Sequence, residues 1–418
     1  MKLHKFLLRY FPPGLALEYT QSGEVKTKMI DLMDLSAKTD IKVLARSIKN
    51  SEPMITESVM EQLEETLLKL QTKVCDTSVK HYYKYKTLQT HLLPLTNIAF
   101  DKLGKRCLTG SYDRTCKVWD IDSGKELLTL KGHKNVVYAV SFNKPTSDMI
   151  VTGSFDKTAN VWCSRTGHCH LTLWGHDAEV VVVQFSPTQN RVATGSMDST
   201  AKIFHLSTGT EVGTLRGHTA EIISLHYNDD GNQIITGSFD GSICLWDTRI
   251  LNVWQTNTFI GHHGKISNCL FSFDCSLIAS SSLDKTVKLW DVRMTSCVGT
   301  LSGHDDEVLD VAIDNRGIKL ASASSDATVR LWNIAGDLQE IAVLEGHCEE
   351  VSKVCFSPNT NNLLSSSLDK TARIWSTDSS RCIQTLSGHT DDVFSCAYSY
   401  NGDTIITASK DNTCTIWR

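Results

Sequence analysis

Serine, histidine and aspartate are the parts of a hydrolase triad, in which a carboxylate orients an imidazole and the imidazole takes a proton from a hydroxyl. All three recur along this chain at fixed spacing. Gly-His pairs place His133, His176, His218, His262, His304, His347 and His389 at intervals of 42–44 residues, and Thr90-His91 fills the same slot one period earlier. An aspartate follows each histidine by 22 or 23 residues: Asp113, Asp156, Asp198, Asp240, Asp284, Asp326, Asp369 and Asp411. A serine stands two residues before each aspartate, and Trp (Phe204 in one repeat) stands six residues after it. An active site occurs once; this constellation occurs eight times, which assigns it to the architecture rather than to catalysis.

The elements that carry these residues are short and extended. Val136-Val-Tyr-Ala-Val-Ser-Phe142 and Asn190-Arg-Val-Ala-Thr-Gly195 are runs of strand-forming residues bounded by turn residues. Each repeat has room for about four such strands, the size of one propeller blade. The pattern closely resembles the WD-repeat family over residues 82–418. The resemblance implies a mainly β fold, an eight-bladed WD-repeat β-propeller (residues 81–418) preceded by a small α+β domain (residues 1–80).

It also implies a hydrogen-bonded tetrad in each blade: the aspartate accepts, the imidazole relays, the serine hydroxyl bridges and the indole donates. His133, Ser154, Asp156 and Trp162 form one such set. His218, Ser238, Asp240 and Trp246 form another, and His304, Ser324, Asp326 and Trp332 a third. Phe204 deprives its blade of the indole donor. The chain reaches Trp417-Arg418 directly after the third strand of the eighth repeat, so residues 82–88 are expected to supply the fourth and close the ring.

Propellers of this family often bind partners on the face formed by the loop after Gly-His and the turn before the aspartate. Tyr112, Phe155, Met197, Phe239, Leu283 and Leu368 precede the aspartates, and Tyr138, Leu309 and Phe394 lie five residues after the histidines. Aromatic groups at this density suit an interface. Glu179, Glu221, Glu307, Glu350 and Asp392 share one entry-loop position, which suggests a partner with basic and apolar side chains.

Residues 1–80 lie outside the repeat. Leu15–Thr20 and Glu24–Ile30 flank Gln21-Ser-Gly23 as a hairpin, and two helices follow. Ile41, Leu44, Ala45 and Ile48 line one; Met60, Leu63, Leu67, Leu70 and Val74 line the other, with Ser58 and Glu61 as a capping box and Pro53 between the helices. So small a domain is expected to lean on the propeller. Met1-Lys-Leu, Leu7-Leu-Arg-Tyr10, Pro12-Pro-Gly14 and Leu17-Glu-Tyr19, joined to eight blades ending in Asp411–Arg418, resemble the dynein assembly factors with WD repeats. That resemblance implies an adaptor between preassembled outer-arm dynein and intraflagellar transport. Its partners would be an intraflagellar transport B complex subunit and outer-arm dynein, at the ciliary base and in the cilium or flagellum.

The net charge of −5 gives no footprint for nucleic acid. No apolar run approaches the ~20 residues of a membrane span, and Arg9 and Pro12-Pro13 interrupt the one signal-like start, which points to the cytosol. Fourteen scattered cysteines read as buried thiols. His168-Cys-His170 resembles a metal chelate without a third ligand nearby in sequence; Trp174 and Trp254 fall outside the tryptophan register. No cofactor, metal or catalytic residue is expected, and the chain is read as a monomer. The alternative is a substrate receptor of a ubiquitin ligase or another cytosolic scaffold, although residues 1–80 contain no recognised ligase-docking module.

Overall fold

Each repeat alternates β-branched and small residues in stretches of five to seven, too short for helices and bounded by turns, and each becomes one four-stranded antiparallel sheet. The computed structural model describes residues 2–9, 13–21, 24–32, 35–36, 38–52, 54–74, 80–89, 91–143, 146–188, 190–249 and 254–418. They fall into two compact units, residues 1–80 and 81–418.

In the first unit, β1 (Lys2–Arg9), β2 (Gly14–Gln21) and β3 (Glu24–Asp31) form an antiparallel sheet in chain order. The signal-like opening is therefore a strand. Helices α1 (Ile41–Ser51) and α2 (Met60–Val74) follow, and the Asp40 carboxylate caps α1 by accepting from the N–H groups of Lys42 and Val43. Leu15 and Leu17 from the sheet, Ala45 and Ile48 from α1, and Leu63 and Leu67 from α2 share one core. Ser58 lies in the 3-10 turn before α2 and pairs with Thr56. The hairpin residues Ser22 and Gly23, Pro53 and the Val74 side chain lie outside the described residues.

In the second unit the inner strands of blades 1–8 are Leu95–Phe100, Val137–Phe142, Val180–Phe185, Ile222–Tyr227, Ile266–Phe271, Val308–Ile313, Val351–Phe356 and Val393–Tyr398. Consecutive inner strands are neighbours, and the eighth returns to the first, so the ring is closed. Blade 2 shows how a sheet is built outward: Val137–Phe142, Met149–Ser154, Ala159–Cys163, then Cys169–Leu173. The second strand is covered on both faces by neighbouring blades, and Ile150 through Ser154 are all buried. Apolar layers join each blade to the next; between blades 2 and 3, Val151, Val161 and Leu173 meet Val180, Val192 and Phe204.

The eighth blade draws on both ends of this unit. Strand β4 (Lys84–Gln89) pairs antiparallel with Thr413–Trp417, Thr87 standing opposite Thr415. The ladder continues as Tyr83 and Arg418 exchange backbone hydrogen bonds of 2.7 and 3.0 Å. The Tyr82 hydroxyl donates to the Gly402 carbonyl at 2.8 Å, and its N–H donates to Gln384 Oε1 at 2.9 Å. Leu88, Ile406 and Ile416 of blade 8 then pack on Leu95, Ile98 and Trp119 of blade 1, giving this seam the same kind of core as the other joints.

Candidate protein-binding face

The aspartate–histidine pairs form in every blade, with Nδ1 of the imidazole 2.7–3.0 Å from a carboxylate oxygen. In blade 2, His133 Nδ1 lies 2.9 Å from Asp156, His133 Nε2 lies 2.7 Å from Thr152 Oγ1, and Trp162 Nε1–H donates to that hydroxyl at 2.9 Å. The same linkage runs through His218, Asp240, Thr236 and Trp246, and through His304, Asp326, Ser322 and Trp332. Donors and acceptors fit one direction: the indole donates to the hydroxyl, the hydroxyl to Nε2, and Nδ1–H to the carboxylate. In blade 3 it stops at Thr194, because Phe204 has nothing to donate.

The bridging hydroxyl is thus four residues before the aspartate, not two. Ser154, Ser238 and Ser324 do something else. Each accepts from the N–H of its aspartate at 3.1–3.2 Å and donates to an entry-loop carbonyl, that of Asn135, Ala220 or Asp306. Positions two apart on a strand share a face, so both hydroxyls point the same way. Only the inner one is level with the imidazole and the indole. The sequence carried a signal for it: Thr109, Thr152, Thr194, Thr236, Ser280, Ser322, Ser365 and Thr407 put a hydroxyl there in all eight repeats.

The aspartates are saturated. Asp284 accepts from Thr286 and from the His263 N–H as well as His262; burial opposes its ionisation, but these hydrogen bonds outweigh burial and hold it down to about 2. Burial keeps His262 and His389 below the usual imidazole range despite their aspartates.

This framework fixes the rim. The N–H of the residue before each aspartate donates to the carbonyl of the entry-loop residue before the inner strand: Met197 to Glu179, Phe239 to Glu221, Ser325 to Glu307, Leu368 to Glu350 and Lys410 to Asp392, all at 2.9–3.0 Å. The two expected sets of residues therefore stand side by side. The position five residues after the histidine is the extra residue of a β-bulge. In blade 2, Val137 pairs with Ser154 and Ala139 with Gly153, which leaves Tyr138 unpaired and turned out of the ladder.

Tyr112, Tyr138 and Met197 are exposed, while Phe155, Phe239, Leu283, Leu309, Leu368 and Phe394 are half-buried. Tyr138 stacks on Phe155 with ring centroids 5.4 Å apart. Lys265 lies 4.4 Å over the Phe239 ring. Glu307 and Glu350 are exposed; Glu179, Glu221 and Asp392 are half-buried, and Asp392 pairs with Lys410 at 3.1 Å. Thr96, Ser267 and Ser352, at the bulge position of blades 1, 5 and 7, donate instead to the inner strand of the next blade.

Leu92 and Leu93 in the entry loop of blade 1, outside the repeated aromatic and carboxylate positions, are 86% and 47% exposed. Asp305 and Asp306 of blade 6, Glu349 of blade 7 and Asp391 of blade 8 share entry loops with the expected carboxylates. His168 and His170 meet edge to face with centroids 5.6 Å apart, and no group of three metal-ligating side chains forms among the described residues. Trp174 is exposed, and the Trp254 side chain lies outside the described residues.

The family described as WD domain, G-beta repeat matches residues 83–120, 124–163, 167–205, 209–247, 254–291, 295–333, 338–376 and 380–418. Relatives named Dynein assembly factor with WD repeat domains 1 are similar in part. The Mus musculus protein is 59% identical and the Homo sapiens protein 58% identical over 187 residues, 45% of this chain and 45% of each relative. The Xenopus laevis protein is 53% identical over 148 residues, 35% of this chain and 36% of its own length. The chain thus matches less than half the length of these relatives. Among solved structures, the computationally designed Ika8 protein superposes with a TM-score of 0.71 at 28% identity, over 79% of this chain and 98% of that one. Eight matched segments, in phase with eight closed blades and their repeated hydrogen-bonded cores, make this chain a member of the WD-repeat family.

Proposed function

We propose that this chain is a non-enzymatic adaptor in the assembly of outer-arm axonemal dynein, linking preassembled dynein to intraflagellar transport for import into the cilium. The name its relatives carry supports the dynein part, and the sequence resemblance the transport part. The observation that carries a binding role is the exposed aromatic and aliphatic surface of Tyr112, Tyr138 and Met197, held on a rigid rim beside carboxylates. Its partners are proteins, an intraflagellar transport B subunit and dynein, met in the cytoplasm and at the ciliary base. The chain works as a monomer. The repeated Asp–His–hydroxyl sets serve the blades: their hydroxyl residues, such as Thr152 and Thr236, are fully buried.

The test is purification of the tagged protein from a ciliated cell, beside a variant carrying Tyr138→Ala, Phe155→Ala and Phe239→Ala. Dynein and transport subunits should accompany the parent and be lost from the variant at unchanged thermal midpoint. Recovery of ligase subunits with no ciliary protein would replace this reading with the substrate-receptor one.

A further inference from the structure

The candidate face is not uniform around the ring. Three consecutive entry loops are acidic: Asp305-Asp306-Glu307 in blade 6, Glu349-Glu350 in blade 7 and Asp391-Asp392 in blade 8. Their cations are few, since Lys285 reaches Asp306 at 3.8 Å and Lys410 holds Asp392. The entry loops of blades 1 and 2, Leu92-Leu93-Pro94 and Lys134-Asn135-Val136, contain no carboxylate. There the surface is apolar: Leu92, Leu93, Tyr112 and Tyr138 are all exposed.

The two arcs meet at the seam where the ring closes. A cleft opens there, lined by Gln89, Asp411, Asn412 and Thr413 of blade 8 and by His91 and Leu92, which lead into blade 1. Asn412 holds a left-handed backbone conformation (φ +67°) at its edge. Leu92 takes its backbone direction from the Asp113 carboxylate, to which its N–H donates at 3.3 Å, and that carboxylate is locked to His91 at 2.7 Å. The side chain is therefore presented outward by the tetrad of its own blade.

We propose that the blade 8–blade 1 seam is the anchoring point of a partner segment. An apolar side chain of that segment would sit against Leu92, Leu93 and Tyr112, and an adjoining run of Lys or Arg would lie over the acidic loops of blades 7 and 8. Charge complementarity selects this occupant. A lipid surface would meet the carboxylates with like charge, and an acidic segment would be repelled by them. Apolar contact at the seam supplies residence, and the acidic arc supplies orientation and speed of encounter, which fall with salt. This inference rests on the adaptor reading and names the partner's chemistry within it.

The test is selection of a random 12-residue displayed peptide library on the full chain, followed by fluorescence anisotropy of the enriched peptides. Enriched sequences should join a bulky apolar residue to at least two Lys or Arg. Leu92→Asp with Leu93→Asp should weaken their binding at least tenfold. Glu349→Gln, Glu350→Gln and Asp391→Asn together should weaken it at least tenfold at low salt and flatten its salt dependence. Leu92, Leu93, Glu349 and Glu350 are exposed and Asp391 is half-buried, its carboxylate accepting from the Asp392 N–H, so unchanged thermal midpoints identify folded variants. Enriched peptides without basic residues, peptides insensitive to both variants, or no enrichment would overturn the seam proposal. Dynein recovery from ciliated cells that survives the seam variants but fails with Tyr138→Ala, Phe155→Ala and Phe239→Ala would overturn the seam and leave the adaptor reading standing.

Discussion

Thr152 is the residue on which blade 2 turns, because its single hydroxyl serves both Trp162 and His133. Thr152→Val keeps the shape and strands an indole N–H and an imidazole nitrogen in the core, a loss of about 2–4 kcal/mol. Ser154→Ala removes bonds to the backbone at the rim and should cost about 1–2 kcal/mol. Urea midpoints rank the two, and a larger loss at Ser154 would contradict the observed linkage. The sequence could not separate them, since both columns are hydroxyls in all eight repeats and only the level of the imidazole distinguishes them. Acid reaches the aspartate–histidine pairs of blades 5 and 8 in a set order. Burial holds His262 and His389 below the usual imidazole value of 6.5, so the unfolded chain takes up their protons first and stability falls as pH drops through that value. Asp284, lowered from 3.8 to about 2, gives a second loss as pH falls from about 4 towards 2. Thermal midpoints measured from pH 8 to 3 should decline from below pH 6.5, and a flat profile between pH 7 and 5 would exclude the histidine contribution.

Among the elements, β4 has the most to do for its length. Among the described residues it is the only strand in the ring that reaches its sheet from the opposite end of the repeat array, and its ladder pairs span sequence separations above 300 residues. Lys86→Pro removes a ladder N–H opposite Ile416, whose backbone faces β4 as that of Arg418 does, and should cost about 1–3 kcal/mol. Hydrogen exchange would then rise first in Thr413–Trp417 and Cys382–Ser387, and equal protection in parent and variant would show that the pairing is dispensable. The existence of this strand was legible because Tyr82–Leu88 occupies the outer-strand slot one period before the first complete blade. The bulge that exposes Tyr138 was not, since a strand of alternating residues reads the same with or without one extra residue in its register. Nor was β1, whose Leu-rich start has the composition of a signal sequence and gains its meaning only from β2 beside it.

At the scale of the whole chain the repeat decides nearly everything, and departures from it decide the rest. The eight in-phase histidines and aspartates made the ring legible, whereas Leu92 and Leu93 escaped notice because they belong to no column. A fragment of residues 81–418 keeps β4 and should unfold cooperatively. A fragment starting at residue 92 lacks it, leaves Thr413–Trp417 with a bare apolar edge, and should aggregate. Size-exclusion chromatography of the two distinguishes these outcomes, and a monodisperse shorter fragment would show that the ring closes without its borrowed strand.

That borrowed strand also sets a schedule. Synthesis delivers residues 84–89 before residues 413–417, so seven blades can gather beside the ribosome while β4 waits for a partner still being made. A nascent chain released prematurely would carry an unpaired edge at each end of its array, the feature that chaperones and proteases detect. Closure of the last blade therefore waits until residues 413–417 have been made, and only a chain that holds both segments brings together the two sides of the seam.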